Sequence, residues 1–131
     1  MIKVSVKKEK NYPVSSPKLK GKLKKHLREL GIVSDSRVSV ALVEEATMKD
    51  LGQKFLSEKK TAPPHNVLSF PEAEVVGEFV SPPKEIINLG EIVVCYPKAK
   101  EEAKKEGVLI EERVWALVEH AALHLLGIHH H

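Results

Sequence analysis

The chemistry of this 131-residue chain is concentrated near its end, where His120, His124, Gly127 and His130 follow the pattern His-x3-His-x2-Gly-x2-His. On a helix, residues four apart project from one face, one turn above the other. A divalent cation takes neutral imidazole nitrogen at about 2.0–2.1 Å, and this spacing lets two rings reach one ion. Glycine tolerates the left-handed conformation that ends a helix, so Gly127 lets the chain turn back and deliver a third ring. Three histidines plus one position for water is the composition of a catalytic zinc site, whereas structural sites are closed by four protein ligands. Zinc lowers the pKa of a bound water to about 7. The expectation is one Zn2+ per chain on His120, His124 and His130, with His129 and His131 as alternative third ligands. A run of terminal histidines also matches the stub of an affinity tag, but here it follows Gly127-Ile128 with no linker, and His130 falls on the motif.

The reaction is narrowed by what flanks the histidines. A zinc peptidase motif places its general-base Glu directly after the first histidine. That position is Ala121, and Glu119 precedes His120 instead, about 100° away around a helix. A substrate that needs mainly a Lewis acid and a hydroxide is therefore favoured, and a phosphodiester is one. Either attack on phosphorus or removal of a 2′-hydroxyl proton suits such a site. Two other readings are a metal-dependent hydrolase of peptides or small esters, and a binding protein whose zinc is structural.

The elements that must position this motif follow from periodicity. Ile2, Val4 and Val6 alternate with polar residues and predict a strand. Ser16-Pro17 predicts a cap and first helical residue, with Leu19, Leu23, Leu27 and Leu30 at helical spacing and Gly31 as the stop. Val38, Val40 and Leu42 predict a second strand. Thr47 and Asp50, at capping-box spacing, open a short helix with Met48, Leu51 and Phe55. Thr61 to Pro64 is a loop, Asn66 to Phe70 a strand stopped by Pro71, and Glu72 to Pro83 a surface excursion. Ile86 to Cys95 is a strand interrupted by Gly90, and Lys98 to Glu106 a polar helix ending at Gly107. Glu111 to Leu126 is the last helix, with two leading glutamates that suit the helix dipole. Its apolar residues cover nearly the whole circumference, which predicts a central, buried helix. The expected fold is α+β: one domain over residues 1–131, with a small mixed sheet of about four strands packed with helices and the metal site on the buried C-terminal helix.

Composition bounds the rest. With 42% apolar and 30% charged residues the chain reads as globular. No apolar run approaches the ~20 residues of a membrane helix, and Met1 to Lys10 lacks the apolar core of a signal peptide, so the chain is read as cytosolic with no membrane partner. Cys95 is the single cysteine, which excludes an internal disulfide and a thiolate cluster. It reads as a small buried residue, with a catalytic thiol as the sharper alternative. The net charge is only +3, yet Lys18, Lys20, Lys22, Lys24, Lys25 and Arg28 crowd one segment. That segment reads as a solvated helix face or a phosphate-binding surface, although no aromatic residue interleaves it.

Three blocks resemble a known family. His120-Ala-Ala-Leu-His-Leu-Leu-Gly-Ile-His-His130 is similar to the closing motif H-G-x-L-H-L-L-G-Y-D-H of the YbeY endoribonucleases. Asn66-Val-Leu-Ser-Phe-Pro71 resembles that family's T-D-V-L-S-F-P segment, and Leu89-Gly-Glu-Ile-Val-Val-Cys95 its L-G-D-I-V-I-C strand. The resemblance implies an α+β metallohydrolase with zinc on His120, His124 and His130. It also implies a single-strand-specific endoribonuclease acting at the 3′ end of small-subunit ribosomal RNA and in ribosome quality control. Ribosomal RNA is the implied substrate, with the small subunit and assembly proteins as partners. The chain departs from the pattern at Ala121, His129, His65 and Asn66. Leu56 follows Phe55 where the family carries an arginine after an aromatic residue, a group suited to polarising phosphate. Lys54, Lys59 and Lys60 stand in as candidate RNA contacts. His65 is the remaining acid–base candidate, against a plain exposed loop histidine. Ser69 either orients substrate or packs in its strand.

Overall fold

In a computed structural model of the chain, residues 1–71 and 86–127 are described. Strand β1 (Ile2–Lys8) buries Ile2 and Val4 and exposes Lys3 and Ser5, the alternation its sequence predicts. Helix α1 (Ser16–Glu29) is capped by Ser15, whose Oγ accepts from the Lys18 backbone N–H at 3.3 Å. Ser15 takes the place expected of Ser16 because its hydroxyl is the one that reaches the third helical N–H. The helix buries Leu19, Leu23 and Leu27, each worth roughly 1.5–3 kcal/mol relative to exposure. Strand β2 (Ser36–Val43) follows, then helix α2 (Glu45–Leu56).

Helix α2 corrects a second expectation. Thr47 lies inside the helix and does not cap it. The carboxylate of Glu9, just past β1, accepts from the Glu44 backbone N–H at 2.8 Å and from the Thr47 hydroxyl at 2.6 Å. An anion at a helix N-terminus satisfies free N–H groups and opposes the dipole, so a residue remote in sequence supplies the cap. The helix ends at Ser57 in the left-handed region (φ 55).

Strand β3 (Val67–Pro71) extends through Pro71 rather than stopping before it. As a strand at the sheet edge it tolerates the missing N–H. Strand β4 (Ile87–Cys95) leads directly into α3 (Tyr96–Glu106), which starts ahead of the expected Lys98 because Pro97 suits a first helical turn. Helix α4 (Ile110–Leu125) closes the described fold. The expected excursion at residues 72–83 lies outside the described residues.

The four strands form one mixed sheet in the order β1-β2-β4-β3. β1, β2 and β4 run parallel, and β3 is antiparallel on the edge beside β4. The class is α+β, as expected. Alternation divides the side chains between two faces. Val38, Val40, Leu42, Ile92 and Val94 join α1, α3 and α4 in the main core. Val43, Val93 and Cys95 point the other way and meet Met48 of α2 in a smaller core.

Helix α4 packs on α1, α3, β3 and β4, but it is not buried all round. Val114, Leu117, Val118, Ala121, Ala122 and Leu125 are buried, whereas His120 and His124 are exposed. The expectation of a helix buried on every side is corrected: its apolar residues are numerous enough to look continuous, yet one stripe faces out.

Candidate metal centre

On that outward stripe the ring planes of His120 and His124 lie at 74°, with centroids 4.6 Å apart. Their Nε2 atoms face each other at 3.0 Å. Two nitrogens on one tetrahedral cation at about 2.0–2.1 Å stand about 3.3 Å apart. The pair thus fits the first two positions of a metal site with little movement. The same distance also suits an N–H···N hydrogen bond between neutral rings. Exposure, not burial, lets an ion and a substrate reach these nitrogens. Glu119 faces α1, its Oε2 3.9 Å from His26 Nδ1, so it stands apart from the pair as helical geometry requires. Among the described residues no group of three or more His, Cys, Asp or Glu is gathered for a metal. His129, His130 and His131 lie outside the described residues.

The loop between α2 and β3 holds a second histidine arrangement. His65 Nε2 lies 2.6 Å from Glu58 Oε2, and His65 is half-buried rather than a plain exposed loop residue. The contact is made possible by Gly52: a Cβ there would stand 2.2 Å from Glu58 Oε1. Sequence reasoning missed Glu58, because its partner is seven residues away across a turn.

Next to His65, the Asn66 side-chain amide donates to Glu102 Oε2 at 3.2 Å, and Arg113 Nε donates to Glu102 Oε1 at 2.9 Å. This network clamps the start of β3 to α3 and to the early part of α4. Arg113 precedes His120 by seven residues, about 10 Å along the helix axis. The far end of β3 meets the end of α4: Pro71 pairs with Gly90, where Leu125 also packs. The start of β3, next to His65, is thus tied through Glu102 to the first turn of α4, whereas its far end meets the last turn. Ser69, half-buried, shares the α4 side of β3 with Val67.

Lys54, Lys59 and Lys60 are all exposed at the end of α2 and in the following loop. The basic segment of α1 lies at the surface, as both readings of it require, with Lys22 Nζ 6.0 Å from the ring centre of Trp115. Cys95 is fully buried, and burial pushes its thiol above the usual range, which suits packing and not nucleophilic attack.

The model of the family described as endoribonuclease YbeY matches residues 4–131. The chain belongs to the YbeY family. Among its relatives, the endoribonuclease YbeY of Dehalococcoides mccartyi is 31% identical over 99% of this chain and 78% of that protein. The endoribonuclease YbeY of Mycolicibacterium smegmatis is 30% identical over 98% of this chain and 72% of that protein. The solution structure of a Thermotoga maritima protein matches all of this chain and 75% of that one, with a TM-score of 0.56 at 29% identity. YbeY membership makes this chain one of a family of hydrolases named for cutting RNA phosphodiester bonds.

Among the described residues, no helix of this YbeY-family chain is long and apolar enough to cross a membrane.

Proposed function

We propose that the chain is a zinc-dependent endoribonuclease of the cytoplasm. It cuts single-stranded RNA in ribosomal RNA processing, at the 3′ end of the small-subunit RNA, and in ribosome quality control. The observation that carries this reading is the convergence of His120 and His124 Nε2 on the exposed rim of α4, in a chain of an endoribonuclease family. His120 and His124 hold one zinc ion together with His130. Bound there, zinc supplies a Lewis acid for a phosphodiester oxygen and acidity for a water. Lys54, Lys59 and Lys60 hold RNA phosphates as point charges in place of the arginine that Leu56 replaces. Ser69 orients the substrate from the α4 side of the edge strand. His65, steadied by Glu58, is an accessory proton carrier for a substrate that extends toward the α2 loop. Small-subunit particles and assembly proteins are the partners.

The test uses untagged, nuclease-free protein carrying its zinc. It cuts a labelled single-stranded RNA, and His124→Ala does not. If wild type and His124→Ala leave the RNA equally intact, the reading is wrong. A ribosome-assembly protein with structural zinc is the second reading, motivated by Leu56 at the arginine position. X-ray absorption on the loaded protein separates the two: a fourth protein ligand supports the structural role, a water the catalytic one.

A further inference from the structure

At the end of α2 the chain exposes two large apolar side chains in succession, Phe55 at 62% and Leu56 at 47%. Interior packing does not account for them. The Phe55 ring is held from below: it meets the half-buried Phe70 of β3 edge-on, with centroids 5.3 Å apart and planes at 61°. Such a contact fixes a ring while leaving a face open. Around it, Lys54, Lys59 and Lys60 are exposed. The one carboxylate between Gln53 and Ala62, Glu58, is turned inward against Gly52 and His65. Along residues 53–62 the exposed charged side chains are therefore all lysines, and across the ladder the exposed Glu91 stands opposite Phe70. Phe70 is adjacent to Pro71, whose partner Gly90 touches Leu125 of α4. The platform thus sits at the end of the edge strand nearest the finish of α4, on the α2 face of the sheet opposite that helix.

We propose that Phe55 is a nucleobase-stacking platform for single-stranded RNA, with Phe70 as its support and the flanking lysines on the adjoining phosphates. This rests on the endoribonuclease reading and adds to it the part of the substrate that is gripped. A flat apolar ring with lysines on its own segment matches a strand whose bases are unpaired, since every base has a π-face and each link carries a negative charge. Base-paired RNA keeps its faces stacked inside the duplex and cannot use the ring. Single-strand preference follows from this surface without any contact that reads sequence.

The experiment measures fluorescence anisotropy of the full, zinc-carrying chain with two labelled ten-nucleotide probes of equal charge, 2′-O-methyl oligouridylate and its abasic counterpart. Cleavage of an unmodified single strand is assayed in parallel. Wild type binds the base-bearing probe about tenfold more tightly than the abasic one. Phe55→Ala loses that ratio with an unchanged melting temperature, and Phe55→Trp retains it. The double variant Lys59→Ala, Lys60→Ala weakens both probes alike and flattens the salt dependence. If wild type cleaves RNA but binds both probes equally, or if Phe55→Ala keeps the full ratio, the platform is overturned while the endoribonuclease reading stands. If Phe55→Ala instead converts a dimer to a monomer with RNA binding intact, the patch is a contact between copies and the proposal fails. Wild type that neither binds nor cuts RNA sinks the underlying reading as well.

Discussion

Among the described residues, two histidine pairs with polar atoms 3.0 Å apart or closer are built differently. On α4, His120 and His124 present two bases to each other across 3.0 Å on an exposed stripe. In the α2–β3 loop, His65 meets a carboxylate at 2.6 Å, half-buried beside Gly52. Two imidazoles facing each other make a place for a cation. An imidazole facing a carboxylate is held in one orientation, the arrangement used to steer one proton or to lock one side chain. The lesson is that residue type alone does not assign a role: the partner and the exposure decide it.

The strongest way to break this contrast is His120→Ala or His124→Ala. Each is expected to lower zinc from about one equivalent per chain to near none and to cut RNA cleavage by more than about 100-fold, read by elemental analysis and a gel assay. Folding changes little, because both side chains are exposed. His65→Gln is expected to leave zinc content unchanged and to lower cleavage by less than about tenfold. A loss of 100-fold or more, the scale of general acid–base catalysis, brings the loop histidine into the chemistry. Glu58→Gln sharpens the comparison further, since it removes the loop charge and keeps the shape. It is expected to lower the melting temperature by no more than a few degrees, about 1 kcal/mol for a half-exposed pair.

The smallest effect lies away from both pairs, at Glu9. The Thr47 hydroxyl and the Glu44 N–H hold its carboxylate below the usual range. A depressed carboxyl stabilises the fold above its unfolded pKa, and the increment fades as pH falls through the folded value. Glu9→Gln is therefore expected to cost at most about 1 kcal/mol at neutral pH and to match wild type in strong acid, read by denaturant melts from pH 7 down to about 3.

Much of the fold was legible because burial writes itself into spacing. β1 and β2 alternate, α1 repeats Leu at helical intervals, and Gly107 marks the end of α3. What escaped depends on contacts remote in sequence. Nothing near Thr47 announces that Glu9 caps α2, and nothing in Asn66 points to Glu102 or Arg113. The outward stripe of α4 was hidden because alanines and leucines surround the histidines on neighbouring stripes. The facing of His120 and His124 was plain, since residues four apart on a helix share one side. The platform at Phe55 was invisible, because Phe55 has helical core spacing with Met48 and Leu51 and only the packed sheet reveals that its ring faces out.

Gly90 controls more than its own bend. It sits at φ 125 beside an irregularity in the β2–β4 ladder, and a methyl group there would lie 2.3 Å from the Phe70 carbonyl oxygen and 3.1 Å from Leu125. A missing side chain is thus the spacer between edge strand and helix. Any larger residue would push the Phe70 backbone or Leu125 away, so the closeness of edge strand and helix is set by the emptiness at one position.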